Sequence, residues 1–169
     1  MAKVLVAYAT KTGSTREVAE RVGERLRGKG AEVEVRPAAE VKSLDGYDAV
    51  VFGGALYMFR LVGEGRRFLA RSRKKLADLP FAAFGMGPIE DTEEQFTDAR
   101  RHLDKTLDKL QGVTPKDVVI FGGALDPAKL KFPFNNPAMK SMPVSDLRDW
   151  KTIEAWADSL PAKLGLGIG

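Results

Sequence analysis

Three runs in this chain are apolar from end to end: "VLVAY" at 4–8, "AVVFG" at 49–53 and "VVIFG" at 118–122. A strand with water on one face alternates apolar and polar residues, so runs without alternation fit strands covered on both faces of a parallel sheet. Five strands are expected, at 3–8, 32–37, 47–54, 80–87 and 117–123, and the alternating "EVEVRP" at 32–37 has the pattern of an edge strand. Segments with helical spacing lie between them. Residues 15–29 place Val18, Ala19, Val22 and Leu26 on one stripe and end at Gly28 and Gly30, and 63–78 place Phe68, Leu69 and Leu76 likewise. Residues 92–111 open on Thr92 with Gln95 three positions on, a capping-box spacing, then carry Phe96, Ala99, Leu103, Leu107 and Leu110. The last helix starts near Asp149 and buries Trp150, Ile153, Ala157, Leu160 and Leu164, with Trp150 and Trp156 as packing residues. A short helical turn is expected near 38–43, and phase puts His102 on the exposed side of its helix, without a role. Strand and helix alternate, and right-handed crossovers make that an α/β protein, a three-layer doubly wound five-stranded parallel sheet.

Composition narrows the chemistry. At 169 residues the expectation is one domain, 1–169, with a core of its own. No run reaches the eighteen or so apolar residues of a membrane span, and the N-terminus leads into a polar loop rather than a cleavage site, so cytoplasmic residence is expected. Cysteine is absent and histidine occurs once, which removes disulfides, thiolate metal sites and histidine clusters. Redox chemistry would have to come from a bound cofactor. The net charge of +4 is uneven: 60–75 carries Arg60, Arg66, Arg67, Arg71, Arg73, Lys74 and Lys75 against Glu64 alone, a face that favours acidic partners or anionic lipid. No recognition motif for nucleic acid accompanies it.

In an open α/β sheet, ligands sit beyond the carboxyl ends of the strands. The loops to consider are 9–15, 54–62, 86–92 and 123–148. The first reads "ATKTGST" and precedes a helix whose first-turn N–H groups form a ready anion site. Thr10, Thr12, Ser14 and Thr15 add hydroxyls, and Gly13 permits close backbone approach. Neutral donors suit a mononucleotide phosphate that is bound and never transferred; the alternative is a turn with a helix cap. The pattern GxxxxGK[ST] is missing, no GxGxxG follows the first strand, and the strand ends lack the acidic residues of a receiver domain. The second loop presents Tyr57, Met58 and Phe59 for stacking on a flat ring, or for packing under the next helix. The third, "GMGPIED", offers backbone amides to a heterocycle's edge, and Glu90 and Asp91 are either acid–base groups or caps. The stretch 124–148 holds four prolines and is expected to be irregular, which in a segment of that length points to function or mobility.

At "VAYATKTGSTREVAERV" (6–22) the chain resembles the flavodoxin family, through Tyr8, Thr10, Gly13, Thr15, Ala19 and Val22, with Ala7 departing from a larger residue. The resemblance implies a flavodoxin-like fold of strand order 2-1-3-4-5 and FMN (flavin mononucleotide) at the switch point, a rule that flavodoxins illustrate. The later stretches "VIFGGALDP" (119–127), "AMKSM" (138–142) and "DLRDWKTIEAWADSL" (146–160) resemble the branch containing menaquinone-dependent protoporphyrinogen dehydrogenases, with a shorter, less aromatic insert. Carried over by position, the phosphate meets Thr10, Lys11, Thr12, Gly13, Ser14 and Thr15. Ala55, Leu56 and Tyr57 line the ring, Gly85, Met86 and Gly87 bond its edge, and Gly123, Ala124 and Leu125 border the substrate side. Carrier flavodoxins are acidic and cover the second flavin face with an aromatic residue; this chain is basic and has only Met86 or Ile89 there. The expectation is an FMN-dependent oxidoreductase passing electrons between an organic, porphyrinogen-like substrate and a quinone or redox partner protein. A one-electron carrier and a non-catalytic binding module are the alternatives. The insert 126–148, with Phe132 and Phe134 among Lys129, Lys131 and Lys140, either joins 60–75 against an anionic membrane or folds over the flavin pocket.

Overall fold

The computed structural model describes residues 1–57, 60–132 and 135–168. Met58, Phe59 and Phe134, singled out above, lie outside them. The apolar runs become strands because β-branched and aromatic residues fill a pleated surface well. They are β1 (Lys3–Ala9), β2 (Glu32–Pro37), β3 (Ala49–Tyr57), a two-residue β4 (Arg60–Leu61), β5 (Phe81–Met86) and β6 (Asp117–Phe121). Five of these pair in parallel in the order β2-β1-β3-β5-β6, and β4 folds back antiparallel on the end of β3. With that hairpin set aside, this is the order 2-1-3-4-5.

Successive strand residues face opposite sides, so each strand feeds two cores. Val4, Val6 and Tyr8 of β1 join one core with α1 (Ser14–Gly28) and α5 (Trp150–Lys163). Leu5, Ala7 and Ala9 join the other with α2 (Gly63–Leu76) and α3 (Glu93–Asp108). Thr92 caps α3 through its hydroxyl, and Asp149 caps α5 through its carboxylate. The helical stripes read from spacing are buried, except that Phe96, Ala99 and Trp150 are only half so. On the first face Phe84 lies 5.6 Å from the Phe121 ring and 5.9 Å from Trp156. The Trp156 indole N–H donates to Asp117 at 2.7 Å, and Lys163 meets the same carboxylate at 2.6 Å. Burial alone would raise the Asp117 carboxyl, but those two bonds outweigh it and hold it below the usual carboxylate range.

Three expectations are corrected. β6 was read as covered on both faces, yet only Phe121 of it is fully buried, because it is the last strand in the order and has a neighbour on one edge only. The turn near 38–43 is a three-residue 3-10 turn, Ala38–Glu40. The stretch 124–148 is not irregular throughout. It contains a two-stranded hairpin, β7 (Ala124–Leu125) with β8 (Ser145–Asp146), a 3-10 turn at Pro127–Lys129 and one helical turn, α4 (Pro137–Lys140). Gly122 lets this insert return closely: a Cβ there would lie 2.2 Å from the Leu147 carbonyl oxygen.

Phe84 has no exposure, whereas Phe132 is 87% exposed. Urea unfolding of Phe84→Ala is expected to show a loss of about 3–5 kcal/mol. Phe132→Ala should stay within about 0.5 kcal/mol of the parent.

Candidate functional site

The crossover from β1 into α1 fixes the start of the site. Gly13 sits at φ +94°, a conformation that costs a residue with a side chain far more than glycine. The Thr10 hydroxyl accepts from the Gly13 N–H at 3.0 Å and folds the loop back on itself. Helix α1 then begins without any side-chain cap. The hydroxyls of this loop therefore do not serve as a helix cap, and the first-turn N–H groups keep their anion-binding character. Thr15 is fully buried, and no group among the described residues pairs with its hydroxyl oxygen. A buried polar group left so costs roughly 1–3 kcal/mol. The Thr12 hydroxyl lies 3.4 Å from the Tyr57 phenol and ties the first loop to the second. Burial pushes the Tyr57 phenol up, and the Thr12 bond partly offsets it.

From Ser14 and Thr15 a cavity of about 520 Å³ runs across the strand ends. Ala55, Leu56 and Tyr57 line it from β3, Met86 and Gly87 from the end of β5, and Gly123, Ala124 and Leu125 from the segment after β6. Thr10, Lys11, Thr12 and Gly13, which lead into Ser14, do not line it. Gly85 lies within β5 and does not line the cavity; a Cβ there would meet Ile120 at 3.0 Å, Leu103 at 3.1 Å and Leu56 at 3.2 Å. The third loop is bound from behind: the Gln95 side-chain oxygen accepts from Ile89 N at 2.9 Å and Glu90 N at 3.2 Å. Those two amides are thus taken up by α3. The Pro88 carbonyl accepts from Gly123 N at 2.7 Å, which joins the third loop to the fourth.

Several wall residues were not read from the sequence. Gln95, Asp98, Ala99 and His102 recur at one-turn spacing on α3 and line the cavity, as does Glu94. His102 was placed on the exposed side; it is half-buried and lines this cavity, because it flanks Leu103 at the margin of the apolar stripe. From the insert, Met139 and Met142 close the wall. The insert thus borders the cavity through methionines, while Phe132 points to solvent. Arg148 fastens it. Its guanidinium donates to Glu17 at 3.1 Å and to the Ser14 carbonyl at 3.4 Å, both in the first turn of α1, and to Asp146 at 2.8 Å. It also lies 5.1 Å over the Trp150 ring, with its side chain only 11% exposed. Arg148 holds the Asp146 carboxyl below its usual range. No helix among the described residues is long and apolar enough to cross a membrane.

The model of one protein family, described as a flavodoxin domain, matches residues 5–141. The chain belongs to the flavodoxin domain family. A flavodoxin from Nitratidesulfovibrio vulgaris is 43% identical over 56 residues, which cover 31% of this chain and 38% of that protein. The match thus spans less than half the length of that relative. Among solved structures, a cysteine-to-serine variant of a Pseudomonas aeruginosa flavodoxin is similar at a TM-score of 0.64 and 18% identity, covering 96% of this chain and 99% of that one. A flavodoxin from the Archaea gives 0.61 at 16%, with coverage of 96% and 99%. Rubredoxin oxygen:oxidoreductase from Desulfovibrio gigas gives 0.62 at 15%, over 97% of this chain but only 36% of that larger protein. At these identities the structures establish the fold.

Two outcomes are expected at the site itself. Thr15→Val keeps the shape and removes the unmatched hydroxyl, so the cofactor-free protein should gain about 1 kcal/mol or lose nothing in urea unfolding; a loss above that size would mean the hydroxyl has a structural partner. Arg148→Met should speed pepsin cleavage within 126–147 by about tenfold, since roughly 1.4 kcal/mol corresponds to that factor. Because Asp146 titrates lower when folded than when unfolded, its link to Arg148 is at full strength above about pH 4 and fades as pH falls through the depressed value. Cleavage of the parent should therefore approach that of the variant on acidification.

Proposed function

We propose that this chain binds FMN non-covalently and works as an FMN-dependent oxidoreductase. The observation that carries the reading is the start of α1, an uncapped helix whose first turn holds a fully buried, unmatched threonine hydroxyl. Those donors fit a phosphate: neutral, backbone-rich and without the lysine of a phosphoryl-transfer loop. The apolar strip of Ala55, Leu56, Tyr57 and Met86 fits a flat ring system, and Met139 and Met142 would keep water from it. When bound, FMN supplies the redox chemistry, accepting and releasing electrons. The protein's part is to anchor the phosphate through Thr10 to Thr15, orient the ring through the second and third loops, and shape the space beside it. Lys11 and Gly13 contribute backbone, Thr12 keeps Tyr57 in place, and Gly87 presents the strand end, with Gly85 supporting it from inside β5.

An enzyme is favoured over a pure electron carrier because the cavity continues past the strand ends to α3 and the insert, where Asp98, Glu94 and His102 line it. Gly123, Ala124 and Leu125 border that extension, which would take an organic substrate. The finer reading, a porphyrinogen-like substrate with a quinone or reductase as partner, rests on the resemblance of 119–127, 138–142 and 146–160 alone. The carrier is the second reading, supported by the family and by the flavodoxins among similar structures. A fold kept only as a binding module is disfavoured by the intact phosphate loop.

The test is an absorption spectrum of the protein incubated with FMN and desalted. Retained flavin is expected, with Thr12→Ala plus Thr15→Ala weakening the affinity by about tenfold or more. No retention by the parent would remove the redox reading. With flavin bound, turnover of small organic donors with a quinone acceptor supports the enzyme; electron exchange with a flavoprotein reductase and no such turnover supports the carrier.

A further inference from the structure

The cations of 60–75 do not share one face. Arg71 turns toward the segment after β2, donating to the Val41 carbonyl at 3.1 Å and also to that of Ala38, and Lys75 meets Asp45 at 3.2 Å. Arg60, Arg66 and Arg73 turn the other way, toward α3. There they meet Lys105 and Lys109 across a cleft of about 500 Å³, floored by Leu69, Ala70 and Leu110. The residues at 66, 69, 70 and 73 on α2 face those at 102, 105 and 106 on α3 and Lys109 at its C-cap, so each wall follows one helical stripe. The nearest acids in sequence, Glu64, Asp104 and Asp108, do not line it, and Arg100 binds Asp104 at 3.0 Å.

Like charges brought together in a concave place repel one another unless something negative joins them. Several arginines elsewhere are matched by carboxylates: Arg21 with Glu154, Arg25 with Asp158, Arg100 with Asp104. Among the described residues, no ion pair involves any of the five cations of the cleft. Two of them are nonetheless held in place. Arg66 Nε donates to the Leu61 carbonyl at 3.0 Å and Arg73 Nη1 to that of Gln111 at 3.0 Å, which leaves further N–H donors on each guanidinium. Positioned arginines with spare donors suit bidentate recognition of phosphate or carboxylate.

We infer that the cleft between α2 and α3 binds a small polyanion, a molecule carrying two or more phosphate or carboxylate groups. Its volume is within the range of small-molecule sites, and it is a groove with an apolar floor, whereas an acidic protein face would meet a convex patch. His102 forms part of this cleft and of the larger cavity, so the occupant lies one side chain from the site described above. The inference stands on the cleft alone and does not depend on flavin binding.

The experiment is calorimetric titration of the full chain with inorganic pyrophosphate, and separately with citrate, at about 50 mM salt, where screening is modest. It is run with and without FMN, so that loss of one reading leaves the other intact. Saturable binding of one equivalent is expected, weakened about tenfold or more in Arg66→Gln with Arg73→Gln and in Lys105→Gln with Lys109→Gln. The second pair covers the case in which the first perturbs folding. Lys129→Gln with Lys131→Gln removes the same charge from the insert and should leave affinity unchanged. The chain has one histidine, His102, which lines the cleft as well as the larger cavity, so with FMN present its ring proton signal should still move on titration. Absence of binding, equal weakening by the insert variant, or a motionless histidine signal would overturn the inference. So would binding of oligo-aspartate without binding of pyrophosphate or citrate, which would assign the cleft to an acidic protein.

Discussion

β1 is hydrogen-bonded along both edges, to β2 and to β3, and packed on both faces. A right-handed crossover from β1 to β2 must leave by the face that carries α1, and the one from β3 to β5 by the face that carries α2. The chain therefore departs from neighbouring strand ends in opposite directions, and the space between the two departures cannot be filled by either. The first turn of α1 opens onto that space, with its dipole and N–H groups aimed outward from the sheet. Everything proposed about the site follows from this parting, and the loops merely dress it.

How much of this was legible depends on whether a feature is written in residue type or in register. Strands covered on both faces leave uninterrupted apolar runs, and helices leave stripes, so the parallel sheet and its helices could be read from the pattern, while the strand order came only from the resemblance at 6–22. The loop from Thr10 to Thr15 stood out because few reasons exist to place four hydroxyls around one glycine, and α1 does begin there without a side-chain cap. The hairpin of β7 and β8 could not be read, because strands of two residues show no period and are defined by pairing Ala124 with Asp146 and Leu125 with Ser145. His102 was misplaced because helical phase identifies the centre of a stripe better than its margin. The amides of Ile89 and Glu90 were offered to a ligand on composition, and no composition reveals that Gln95 has already engaged them.

The charges fall into two physical classes. Ion pairs such as Arg16 with Glu20, both well exposed, contribute little beyond solubility. Arg148 belongs to the other class: nearly covered, it binds two carboxylates, one carbonyl and an aromatic face at once. A guanidinium so placed fixes geometry, because breaking any one bond leaves the others in position. The basic stretch 60–75 likewise dissolves into separate environments, with Arg71 and Lys75 spent on local structure and Arg60, Arg66 and Arg73 gathered against α3.

The bonds from Arg148 to Ser14 and Glu17 join residues 134 and 131 positions apart, and Arg21 reaches Glu154 across 133. On a ribosome, which releases the N-terminus first, α1 and the loop after β1 emerge long before the residues that brace them exist. The nascent domain can pair its first strands early, but the wall beside the loop waits for residues 131 and 134 positions further on. The wall beside the loop can therefore close only after those later residues have been made, an order of events set by topology rather than by any separate regulator.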